Sequence, residues 1–217
     1  MSLRKTKIVK PSYRQRIGYH SMLVGGTALI ASALLVVGNI STKEVIAQRY
    51  AEDLQQMLGE VIPADLHDNN LLTDQFELAG KEIYQARIES KITAVAYKVS
   101  EPGYSGVITL IMAISNEGKV LGVRVISHTE TPGLGDKMET ARSDWILSLN
   151  GKFLTKENDK TWAVKKDGGE FDQFTGATIT PRAILKAVKG GMQFFDTNKQ
   201  RLLSYEPPPD INEETDQ

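Results

Sequence analysis

The chain has 217 residues and a formal net charge of -1, enough for a membrane segment and one compact domain with an ordinary core. Six of its 26 basic residues (Arg4, Lys5, Lys7, Lys10, Arg14 and Arg16) cluster at the N-terminus with no acidic residue among them, so 20 remain against 27 Asp+Glu and the rest of the chain is acidic, which argues against nucleic-acid binding by the main domain. With no cysteine, disulfides, cysteine-ligated iron-sulfur clusters and thioether-attached haem are excluded.

From Ser21 to Ile40 the chain carries no charged residue and matches the roughly 20 residues needed to cross a bilayer core. A cleavable signal peptide is the alternative, but its apolar region is shorter and closes on a small-residue cleavage pattern that is not evident here. Basic flanks stay in the cytoplasm, so the residues after Ile40 are expected on the far side, the periplasm in a Gram-negative cell. Gly25, Gly26, Ala28, Ala31 and Ala33 either let this helix pack closely on another or reflect the usual abundance of small residues in such segments.

Ser41-Thr42-Lys43-Glu44 has the form of a capping box, and Ile46, Tyr50, Leu54, Met57 and Val61 follow at helical spacing up to Pro63, predicting an amphipathic helix. KEIYQARI and ITAVAYKV around Glu89-Ser90-Lys91, then GVITLIMAIS and VLGVRVIS around Asn116 to Lys119, predict two hairpins in an antiparallel sheet. HTETPGLGDKM reads as a glycine-bearing loop, and DKMETARSDWILSL as a helix with Met138, Ala141, Trp145 and Leu149 inward. A last helix has Thr180 as N-cap, Pro181 as first residue, and Ile184, Leu185, Val188, Met192 and Phe195 on its apolar face. The expected class is α+β, with a basic N-terminus over 1–20, a transmembrane helix over 21–40, one domain over 41–200 and a disordered acidic tail over 201–217.

Several chemistries lack their marks. Gly133 and Gly135 lack the third glycine of a dinucleotide fingerprint, since that position is Met138. No Walker loop or G-x-S-x-G elbow occurs either. His20, His67 and His128 are too scattered for metal spacing. In DQFTGATITPRA, small residues and hydroxyls precede a helix start, where N–H groups and the positive dipole end favour a phosphate. An ordinary capped helix with a polar turn is the other reading.

Asp172-Gln173-Phe174-Thr175-Gly176-Ala177-Thr178 resembles the flavinylation motif Asp-x-x-(Ser/Thr)-Gly-Ala-(Thr/Ser) of FMN-binding subunits at every fixed position. With GYSG at 103–106, TETPGLGDK at 129–137, SDWI at 143–146 and WAVKKDGGEFDQFTGATITPRA, nearly the whole chain resembles the G subunits of Rnf (Rsx) electron transport complexes. The resemblance implies FMN esterified through its phosphate to Thr178 by a flavin transferase that uses FAD. It further implies a six-subunit inner-membrane complex coupling electron flow to ion movement. Asp172, Thr175, Gly176, Ala177 and Thr180 become neighbours of the flavin, and Glu130, Thr131, Gly133 and Leu134 are expected to pack against it, glycine allowing close approach. The C subunit of the sodium-translocating NADH:quinone reductase, which carries the same kind of linkage, is the nearest rival. A periplasmic binding or assembly module without flavin, and a threonine-nucleophile hydrolase, are the readings from other classes.

Overall fold

The structure, a computed structural model, describes residues 17–204; the basic cluster before Ile17 and the proline-rich tail lie outside the described residues. The chain divides into two units, one running to Ala51 and the other starting at Glu52. Helix α1 (Ile17–Val61) has 45 residues, and its exposed apolar stretch is long and apolar enough to cross a membrane.

No separate helix begins at Ser41. α1 runs through that point, and the Thr42 hydroxyl donates back to the carbonyl of Gly38 at 2.8 Å. A capping box has nothing to cap there, because an incoming helix already supplies acceptors for the N–H groups of this turn. The helix stops only before Pro63, whose ring cannot continue it.

In the second unit, strands β1 (Gln75–Leu78), β2 (Lys81–Ile88), β3 (Lys91–Pro102), β4 (Val107–Ser115) and β5 (Val120–Ser127) form a five-stranded antiparallel meander in chain order. β2 to β5 are the expected hairpins. β1 went unpredicted because QFEL is short and only one of its residues, Leu78, is buried. It pairs with β2 through a two-residue turn in which Ala79 and Gly80 both take positive φ, the geometry that matches strand twist.

Both faces of the sheet are covered, so β4 buries consecutive residues rather than alternate ones. On one face lie Tyr97, Val99, Leu110 and Met112 with helix α2 (Ile179–Leu202), whose Ile184, Leu185, Val188, Met192 and Phe195 are all buried as predicted. On the other face, Ala86, Ala94, Ala96 and Ala113 make room for Leu54, Leu58 and Val61 at the end of α1. Gly122 completes that seat. A Cβ there would lie 2.7 Å from Val61 Cα and 2.9 Å from its carbonyl oxygen.

The predicted helix over DKMETARSDWILSL is absent. Two short 3-10 turns, Asp136–Met138 and Asp144–Leu149, take its place, separated by extended backbone at Glu139 and Ser143. Ser143 explains the break, since its hydroxyl accepts the N–H of Trp145 at 3.2 Å and opens a new turn. Met138 and Leu149 are buried as expected, but Ala141 is exposed. Trp145 turns its ring edge against Phe174 at 4.9 Å between centroids, anchoring the segment that leads into α2.

Candidate cofactor site

Three segments meet at the start of α2: the 103–106 connection between β3 and β4, the 128–135 loop after β5, and the 172–178 approach to the helix. Glu130 joins them. Its side chain is 5% exposed; Oε1 accepts the backbone N–H groups of Tyr104 and Ser105, each at 2.9 Å, and Oε2 accepts the hydroxyl of Thr180. Its own N–H donates to His128 Nδ1 at 3.1 Å. A backbone N–H can only donate, so Nδ1 is the acceptor and Nε2 carries the proton toward Glu139 Oε1 at 2.8 Å. Two glycines make space for the Glu130 side chain: a Cβ at Gly103 would sit 2.6 Å from Oε1, and one at Gly135 would sit 2.7 Å from Glu130 Cβ.

Beside this junction opens a cavity of about 320 Å³ lined by Tyr104, Glu130, Thr131, Leu134, Gly135, Gly176, Ala177, Thr178 and Ile179. Large apolar surface faces solvent at its rim: Tyr104 is 72% exposed, Leu134 42% and Ile179 44%. Such exposed apolar area suits the covering of a flat ring. Thr178 is half-buried where α2 begins, and its side chain makes no capping bond. Gly176 holds φ +84°, with a Cβ position 3.2 Å from Leu134 Cδ2, so the approach to Thr178 is a tight left-handed turn against the cavity wall. Hydroxyl, helix start and apolar rim together fit a phosphate-bearing planar cofactor.

The cavity brings together six of the predicted residues, Glu130, Thr131, Leu134, Gly176, Ala177 and Thr178. Four others do not line it. Gly133 has φ +79° with open space about it. Thr175 is exposed. Asp172 is exposed too, its carboxylate 2.6 Å from Lys165 Nζ and its carbonyl accepting the Trp145 indole N–H at 2.7 Å. Thr180 is buried and is not the N-cap: α2 starts at Ile179 with Thr178 in the cap position, two residues earlier than expected, and the Thr180 hydroxyl is spent on Glu130. Tyr104 and Ile179 escaped the sequence reading of the site, although Tyr104 stands in GYSG. Outside the cavity, in the first turn of α2, Arg182 donates to Asp167 at 2.6 and 2.7 Å. These bonds hold the exposed Asp167 carboxyl below the usual range and raise Arg182. Among the described residues, no group of His, Cys, Asp and Glu could hold a metal ion.

A family model described as an FMN-binding domain matches residues 103–193, a stretch that contains every wall of the cavity. The G subunit of the ion-translocating oxidoreductase complex from Stutzerimonas stutzeri is 44% identical over 84% of this chain and 82% of its own length. Its namesake from Vibrio atlanticus (strain LGP32) is 46% identical over 82% of this chain and 89% of that one.

The chain belongs to the family of these G subunits.

Another member, from Shewanella loihica (strain ATCC BAA-1088 / PV-4), is 42% identical over 88% of this chain and 95% of its own, so relatives in this family match both the apolar helix and the domain. Family membership sets aside the C subunit reading. A crystal structure of Shewanella oneidensis NqrC is a looser likeness, with 22% identity and a TM-score of 0.46 over 65% of this chain and 73% of that one.

Proposed function

We propose that this chain is a membrane-anchored electron carrier of an ion-translocating oxidoreductase complex, with FMN linked through its phosphate to Thr178. The observation that carries the reading is the place of Thr178: a half-buried hydroxyl without a capping bond, at the start of α2, on the wall of an apolar-rimmed cavity within the FMN-binding domain. In the linkage reaction a flavin transferase presents FAD. Thr178 Oγ bonds to the phosphorus of the FMN half, the pyrophosphate P–O bond breaks, AMP leaves and the hydroxyl proton is released.

Each wall has a task. The positive dipole end at the start of α2 would favour a phosphate carried by Thr178. Leu134, Ile179 and Tyr104, exposed at the rim, would cover the ring and exclude water from it. The Thr131 carbonyl accepts the N–H groups of Leu134 and Gly135 at 3.2 and 3.0 Å, which fixes the turn that presents Leu134. When bound, FMN accepts one or two electrons and so links two-electron donors to one-electron carriers, while the protein supplies placement and electrostatics. Thr178 is a tether, and a tether confines the flavin to a small volume.

The first unit anchors the chain through α1, with the N-terminus in the cytoplasm and the domain in the periplasm, as the basic cluster before Ile17 favours. Since Ser21 to Ile40 holds no charged residue, the ion path belongs to the other membrane subunits of the six-subunit complex. Intact and peptide masses of the chain expressed with a flavin transferase test the proposal. An FMN adduct formed with loss of water, located on Thr178 and absent from Thr178→Ala, is expected. An unmodified wild type, with the transferase active on a control substrate, overturns it.

A further inference from the structure

Among the described residues, Glu130 is the one charged residue on the wall of the cavity. Among the described residues, its carboxylate accepts from uncharged donors, the N–H groups of Tyr104 and Ser105 and the hydroxyl of Thr180. The Glu130 N–H donates to His128 Nδ1 and keeps that ring nitrogen an acceptor. Among the described residues Glu130 takes part in no ion pair. A buried carboxylate held by dipoles alone keeps its net charge, and in a site of low dielectric that charge acts strongly on anything beside it.

We infer that Glu130 is a positioning residue that also sets the reduction potential of the cofactor: its fixed negative charge disfavours adding electrons to a flavin held in the cavity and lowers the midpoint potential. The inference rests on FMN occupying the cavity from Thr178. It departs from the expectation that Glu130 serves as a packing surface, because its side chain is turned into the protein, where it bonds two other segments. Gly103 approaches this carboxylate, and Gly135 the Glu130 Cβ, more closely than a residue with a Cβ could, so the side chain is held in one place. Fixed groups impose a constant field, with no reorganisation when an electron arrives.

Two nearly isosteric variants separate charge from architecture. Glu130→Gln keeps an oxygen for the Tyr104 and Ser105 N–H groups and removes the charge. Thr180→Val removes one of the donors that disperse the charge and leaves the carboxylate. The full chain, loaded by its flavin transferase, is assayed by intact mass for FMN content and by spectroelectrochemical titration for the midpoint potential. Glu130→Gln is expected to raise the potential by on the order of a tenfold change in the one-electron equilibrium, about 59 mV, and Thr180→Val to lower it. A purely architectural role predicts reduced loading in both variants without these opposite shifts.

Flavin on Thr178 with an unchanged or lowered potential in Glu130→Gln overturns the inference and leaves the attachment proposal standing. Should Glu130→Gln fail to fold or load, Thr180→Val decides alone: a lower potential supports the inference, and an unchanged or higher one overturns it. Wild type without FMN removes the attachment proposal, and the inference falls with it.

Discussion

Gly190 and Gly191 are neighbours in α2, yet alanine should have opposite effects at the two positions. In a helix interior, Gly→Ala gains about 1 kcal/mol from backbone entropy and propensity. At exposed Gly190 a Cβ meets nothing within 4 Å, so the full gain is expected. At buried Gly191 the Cβ would overlap the Met112 sulfur and stand 3.1 Å from Val99 Cγ1, in the face of the sheet where Met112 is fully buried. Overpacking of that kind costs about 1–3 kcal/mol. It would also push on the Gly191 carbonyl, which accepts the Tyr97 hydroxyl at 2.8 Å. Because the propensity gain is common to both, the two variants should differ by the overpacking cost alone, about 1–3 kcal/mol. Urea unfolding of the full chain in detergent, followed by the fluorescence of Trp145 and Trp162, gives this difference directly. Equal stabilities would refute the claim that α2 seats on the sheet through Gly191.

Three further outcomes are expected. Gly122→Ala should cost about 3 kcal/mol, the upper end for overpacking, since its Cβ would meet the backbone of Val61, which has no rotamer to yield; urea unfolding checks it, and a neutral result would mean α1 does not end on this face. Tyr97→Phe should cost about 1 kcal/mol near neutral pH through the lost bond to Gly191. Burial, followed by the charge of Asp196, pushes the Tyr97 phenol well above 10.0, so above about pH 10 the unfolded chain releases a proton that the folded one keeps. The wild type thus loses stability as pH rises past that point, and its advantage over Tyr97→Phe should shrink in alkaline unfolding curves. Gly176→Ala places a side chain at φ +84°, a strain of about 1–2 kcal/mol. It should slow the flavin attachment proposed at Thr178 in a timed mass assay, and unaltered kinetics would show that the turn is not required.

Local pattern carried much of the protein. An uncharged run of apolar residues has to be a helix if it enters a membrane, because only an α-helix or a closed barrel satisfies its own backbone there. Alternation and β-branched content placed β2 to β5, and the 3.6-residue period located the buried face of α2. The resemblance over Asp172 to Thr178 pointed to a hydroxyl and a turn that the structure places on the cavity wall. What failed were boundaries decided by neighbours. Ser41 carries a capping signature that goes unused because α1 arrives already wound. Ser143 stops a periodic pattern by capping a fresh turn.

The cavity walls come from segments far apart in the chain, and no periodicity links Tyr104, Glu130 and Thr180. Residue types and local spacing determined an α+β chain with an apolar helix near its N-terminus and a last helix that starts close after Thr178, since those depend on interactions within a few residues. Only the tertiary structure turned Glu130 inward, took Thr180 from helix cap to hydrogen-bond donor and placed Tyr104 on the rim, because a buried carboxylate draws its donors from whichever segments the fold brings beside it.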